Sequence, residues 1–155
     1  MAIADMFLKV HGVTGEAADA DHKGEIEVVS WSWGMKGSAS ITTGKTAKAT
    51  VTELHVVKRV DQASATLMKF LWTNKLVNEA QLTVRKAGKT PLEYFKIELA
   101  NVRVTSVTTE SEGTELVERV TLGYSKVKAS YVPQDGSGAQ GGGANVFEAD
   151  VHGAA

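Results

Sequence analysis

Apolar and polar residues alternate through most of this chain, and in the longest runs the apolar set changes side partway. The stretch "AQLTVRK" shows the plain form, with Ala80, Leu82 and Val84 on one side and Gln81, Thr83 and Arg85 on the other. Period-two alternation rich in Val, Ile and Thr marks a half-buried strand. "DMFLKVH" repeats it, with Met6, Leu8 and Val10 opposed to Phe7, Lys9 and His11. In "LEYFKIELANVRVTSVTTE" the apolar face begins as Phe95, Ile97 and Leu99 and continues as Val102 and Val104. "LVERVTLGYSKVKASYV" moves from Val120, Leu122 and Tyr124 to Val127, Ala129 and Tyr131. "GEIEVVSWSW" passes from Ile26 and Val28 to Val29, Trp31 and Trp33. A one-residue slip turns every following side chain over. Such strands must bulge, turn a corner or be covered on both sides. The predicted fold is mainly β, with a closed or strongly bent sheet.

One segment breaks the pattern. In "DQASATLMKFLWTNK" the residues Leu67, Met68, Leu71 and Trp72 follow the spacing of a helical stripe. Asp61 or Ser64 is placed to cap its start, and Asn74-Lys75 suits its end. This predicts one flanking helix over about residues 61–75, with Trp72 as a core anchor. The polar run Gly34 to Ala49 reads as an extended loop or ribbon. From Pro133 onward the composition is that of a Gly-rich linker, in which Val146-Phe147 can add a final short strand. A chain of 155 residues is expected to form a single domain over 1–155, with 133–155 as its tail.

Composition narrows the chemistry. Cysteine is absent, so disulfides, zinc-thiolate sites and cysteine nucleophiles are excluded. A net charge of −1 and a pI near 6.4 give no footprint for nucleic acid or an anionic membrane. The start "MAIADMFLKVHGVTGE" has neither a basic region nor a long apolar core, so neither a cleaved signal peptide nor membrane insertion is expected.

No motif amounts to an active site. "ASITTGKT", Ala39 to Thr46, fits a loosened phosphate-loop pattern, but a strand-like run follows where a helix is needed. "DADHKG", Asp19 to Gly24, begins like a calcium loop but carries Lys23 at the fifth position and Ser30 at the twelfth, so it reads as a turn. His11, His22, His55 and His152 show no metal spacing and are expected to be solvated. Arg85, Lys86 and Lys89 read as a solvated hairpin tip. No catalytic, cofactor or metal site is expected.

Five collinear blocks resemble the haemolysin-coregulated protein (Hcp) family, the tube protein of bacterial type VI secretion. They are "DMFLKVHGVTGE" (Asp5–Glu16), "HKGEIEVVSWSWGM" (His22–Met35), "VDQASATLM" (Val60–Met68), "AQLTVRKAGKTPLEYFKIEL" (Ala80–Leu99) and "ERVTLGYSKVKASYVPQ" (Glu118–Gln134). Only "ANVFEAD" stands where the family often has a Trp-containing final strand. The resemblance implies a β-barrel of two packed, antiparallel-rich sheets with one flanking helix, a homohexameric ring, rings stacked into a hollow tube, a contractile sheath, baseplate and trimeric spike as partners, and effector proteins carried in the lumen. It implies assembly in the cytoplasm followed by secretion, and no catalysis. A monomeric ligand-binding β-barrel, with the Trp pair lining a pocket, is the alternative.

Within that frame "VVSWSWGMKGS" divides into two faces. Trp31 and Trp33 are expected to be packing anchors, and Ser30 and Ser32 to face the lumen. Lys36, Ser38, Thr42, Thr43 and Lys45 of the following loop are expected to touch the next ring.

Overall fold

A computed structural model describes residues 4–39, 46–86, 92–134 and 140–151. The strands are β1 (Ala4–Val10), β2 (Ile26–Glu27), β3 (Ser30–Ser32), β4 (Met35–Ala39), β5 (Thr46–Val51), β6 (Leu54–Arg59), β7 (Val77–Lys86), β8 (Leu92–Glu112), β9 (Glu115–Gly123), β10 (Lys126–Tyr131) and β11 (Asn145–Asp150), with helix α1 (Ser64–Trp72) between β6 and β7. All their pairings are antiparallel. One layer runs β2-β1-β7-β8-β10-β11 and the other β8-β9-β6-β3, so the long β8 belongs to both.

The three changes of side in the sequence coincide with three of the places where the chain passes between layers; the fourth passage, from β6 to β7, is made by α1. In β8, Asn101 adopts φ 54°, and the register with β9 shifts between Val104 and Ser106. The inward set passes there from Ile97 and Leu99 to Val102 and Val104, all at most 3% exposed. β9 gives way to β10 through Tyr124 and Ser125, and the Ser125 N–H is held by the Ala100 carbonyl at 3.0 Å. At Val28-Val29 the Val28 N–H donates to Met6 in the first layer and the Val29 N–H to Val57 in the second. Because β2 and β3 are tied to different layers, they do not close the circuit. The fold is therefore the expected pair of packed antiparallel sheets with one helix, but the sheets do not close into a barrel; among the described residues β2, β3 and β11 end sheets rather than joining one another.

Leu8, Ile26, Leu54, Val56, Leu67, Leu82, Ile97, Val102 and Leu122 fill the space between layers, each at most 1% exposed. Each such side chain contributes about 1.5–3 kcal/mol by leaving water. That packed interior replaces the ligand cavity of the alternative reading.

Helix α1 is shorter than expected and turned by one residue. Its buried stripe is Ser64, Leu67 and Phe70. Met68 is 42% exposed and Trp72 91%, so Trp72 is not a core anchor of this chain. Apolar residues at 67, 68, 70, 71 and 72 cover two adjacent helix faces, and periodicity alone does not choose between them. The residue preceding the helix is Ala63, and neither Asp61 nor Ser64 makes the side-chain cap; Asp61 instead accepts the Ala63 N–H at 2.9 Å. The end follows the sequence signal: Asn74 sits at φ 53°, with Lys75 N–H to Phe70 carbonyl at 2.9 Å and Asn74 N–H to Leu71 carbonyl at 3.1 Å. These two bonds form a Schellman cap.

The outer side of the first layer is covered too. Residues 12–25 form a strap over β1 and β7, leaving Phe7, Thr83 and Arg85 at most 6% exposed. Arg85 is thus no solvated tip: it pairs with Asp19 at 2.7 Å and Asp5 at 2.9 Å. His22 is likewise buried rather than solvated.

Candidate functional site

The second layer turns a row of small and polar side chains outward. Backbone register aligns Ser32 with His55, His55 with Thr121 and Thr121 with Ser106. The adjacent row runs Ser30, Val57, Arg119 and Thr108. Ser30 and Ser32 are exposed, at the rim of a shallow concavity they share with Trp31, His55, Val57 and Arg119. His55 Nδ1 lies 3.4 Å from the Thr121 hydroxyl, and Arg119 is paired with Glu110, so the charge on this face is partly neutralised.

The opposite side of β3 holds the bulk. Trp31 stacks on Phe95 with ring centroids 5.6 Å apart. Trp33 donates its indole N–H to the Tyr124 hydroxyl at 2.6 Å, and that hydroxyl donates to the Thr52 carbonyl at 2.6 Å. Both tryptophans are half-buried against the core. Burial pushes the Tyr124 phenol above its usual range, the Trp33 bond notwithstanding.

The described ends of the run Gly34–Ala49 are strands, β4 and the start of β5. Among the described residues β4 and β5 pair only with each other, with a register shift between Lys36 and Ser38. The base of this pair is clasped by Thr52 N–H to Gly34 carbonyl at 2.8 Å and Gly34 N–H to Thr52 hydroxyl at 3.0 Å. Lys36 and Ser38 lie on β4; Thr42, Thr43 and Lys45 fall outside the described residues, as does most of the loosened phosphate loop.

The ionisable clusters are structural in placement. Lys58 Nζ, wholly buried, meets Glu118 Oε1 at 2.8 Å, Asp61 Oδ1 at 2.9 Å and Ser64 Oγ at 3.2 Å, tying β6, β9 and the start of α1 together. His22 bridges Glu25 and Glu93, at 3.0 and 2.8 Å. The sequence carried little signal for either: Lys58 and Glu118 sit at inward positions of alternating strands, and only pairing across β6 and β9 brings them together. Among the described residues no group of three or more His, Asp or Glu side chains is arranged to hold a metal, and no helix is long and apolar enough to cross a membrane.

A two-layer, open-edged β fold with one flanking helix and a projecting ribbon is thus in place, and the family model for "Type VI secretion system effector, Hcp" matches residues 7–131. The chain belongs to the Hcp family. Hcp1 of Pseudomonas aeruginosa is 41% identical over 145 residues, covering 90% of each chain. Among solved structures, Hcp1 from Salmonella typhimurium aligns over 97% of this chain and 96% of its own, at 33% identity and a TM-score of 0.78. A type VI secretion system effector from Yersinia pestis aligns over 95% and 100%, at 30% identity and a TM-score of 0.79. Hcp proteins are structural, secreted tube proteins of type VI secretion and not enzymes.

Proposed function

We propose that this Hcp is the subunit of a type VI inner tube. Six copies close head to tail into a ring, rings stack into a hollow tube, and a contractile sheath on a baseplate drives the tube outward behind a trimeric spike. Effector proteins ride in the lumen. Assembly takes place in the cytoplasm, and the type VI machinery then secretes the chain.

The observation that carries this reading is the second layer: four strands in which, among the described residues, the outer edge of β3 is unpaired, with a small, polar outer face. An exposed sheet edge is a template for another chain, and a head-to-tail contact that closes by rotation uses it up. The outer face then becomes the lumen wall, with Ser30 and Ser32 toward the cargo and Trp31 and Trp33 behind it. The β4–β5 ribbon reaches the next ring, through Lys36, Ser38, Thr42, Thr43 and Lys45.

Two variants test the two surfaces separately. Ser32→Glu is expected to leave rings intact while lowering effector co-purification; undiminished co-purification contradicts the lumen assignment. Removing residues 38–46 is expected to leave rings and stop tube growth, and tubes of normal length contradict the ribbon's role.

A further inference from the structure

The strap of residues 12–25 carries a buried histidine, His22, near its far end. Its own backbone is a loose ladder: Gly15 N–H to Gly24 carbonyl at 2.7 Å, Ala17 N–H to Glu25 carbonyl at 2.9 Å and Gly24 N–H to Ala17 carbonyl at 2.9 Å. Gln62 ties its near end, through Gly15 and Glu16. The far end is held at two points: Asp19 accepts two bonds from the Arg85 guanidinium, at 2.7 and 2.9 Å, and His22, 6% exposed, stacks on Phe7 with ring centroids 4.4 Å apart.

Both ring nitrogens of His22 face carboxylate oxygens, Nδ1 that of Glu25 and Nε2 that of Glu93. Neutral imidazole carries one N–H only, so its other nitrogen would turn a lone pair toward an ionised carboxylate. Only the imidazolium donates to both. Glu25 lies in the strap and Glu93 at the start of β8, so a doubly protonated His22 joins the strap to the first layer. The remaining charges around it are accounted for. Lys96 of β8 pairs with Glu93 at 3.3 Å. Arg85 of β7, 5.1 Å from the Phe7 ring centroid, is neutralised by Asp19 of the strap and Asp5 of β1, with Asp21 at 4.0 Å.

We propose that His22 is an imidazolium lock that holds the Glu25 end of the strap against Phe7 and β8 and loosens that end as the solution becomes alkaline, while the Arg85–Asp19 pair stays charged. Burial by itself lowers the histidine pKa, but the bonds to Glu25 and Glu93 outweigh it, and the balance is a raised value. A raised folded-state pKa gives stability that is complete below the unfolded value and is lost as pH climbs through the folded one. For Glu93 burial works upward and the His22 bond downward, with a lowered value as the balance, so its share is lost on the acid side instead. That end of the strap is closed in the window between.

Hydrogen exchange of the strap, followed by mass spectrometry on the intact assembly and corrected for intrinsic rates, tests the lock. As pH rises above the ordinary histidine value of 6.5, the exchange of Ala17 and Gly24 is expected to quicken by up to about tenfold per pH unit and to level off once His22 in the closed strap has lost its proton. Glu93→Gln supplies an amide N–H to the unprotonated nitrogen, so the variant is expected to keep its strap protected at the alkaline end. Wild-type protection that does not change with pH overturns the proposal, and so does a Glu93→Gln strap that opens with the wild-type slope.

Discussion

Replacing Lys58 by Met is expected to be among the most damaging single changes to this fold, and replacing its partner as well is expected to undo most of the damage. Lys58 and Glu118 are 0% exposed and 2.8 Å apart. Met has nearly the length of the Lys stem, so Lys58→Met removes the charge with little change in packing. Glu118 is then left buried with only the Thr109 hydroxyl, at 3.5 Å, as a polar neighbour. A buried carboxylate without its cation costs about 3–5 kcal/mol. The slope of a urea transition is about 2 kcal/mol per M for a domain of this size, so the midpoint is expected to fall by about 2 M. In Lys58→Met/Glu118→Leu no charge is stranded between β6 and β9, and Asp61, with a side chain 13% exposed, can turn toward water. Replacing a buried ion pair by apolar residues is often neutral or stabilising, so the double variant is expected within about 1 kcal/mol of wild type. Trp fluorescence is the readout, at one fixed protein concentration because self-association shifts stability by mass action. A single variant within about 1 kcal/mol of wild type, or a double variant as unstable as the single, refutes the reasoning.

Three further outcomes follow from the fold. Trp72→Ser is expected to leave stability within about 0.5 kcal/mol, whereas Phe70→Ala, one helical position away from the surface, is expected to cost about 3–5 kcal/mol; equal losses in the two denaturation curves contradict the helix orientation. The Arg85 guanidinium holds the Asp19 carboxyl down at about 2, so its contribution is present above the ordinary carboxylate range and lost as pH falls toward 2; Asp19→Asn is expected to flatten the acid limb of the pH–stability curve, and an unchanged limb counts against the pair. At the β8 corner, Asn101→Ala should be less stable than Asn101→Gly by about 1 kcal/mol, because both lose the bond to Ser125 but only Ala strains the left-handed backbone.

The alternation of apolar residues made the strands and their corners legible. The changes of side at Val28-Val29, after Leu99 and after Tyr124 mark layer crossings, because a chain passing between sheets must turn its other face inward. What alternation does not encode is whether the outward set is itself covered. Arg85, Thr83 and Phe7 occupy outward positions and are buried, since the strap lies over them, and a strap of mixed polarity has no period to announce it. Closure was equally hidden: whether β2 and β3 pair with each other or with separate layers depends on hydrogen bonds to Met6 and Val57, far away in sequence. Trp72 was misplaced because a nine-residue helix with five apolar residues in its last six offers two plausible inner faces. The small face of β3 was visible at once, since Ser30 and Ser32 alternate with Trp31 and Trp33. The partners that extend it, His55, Thr121 and Arg119, come from other strands and required the register.

Negative-stain microscopy of the purified chain, with sedimentation velocity on the same sample, tests the tube reading most directly. Rings with a central hole, sedimenting as six copies, are the predicted result. A particle that stays monomeric at micromolar concentration contradicts it.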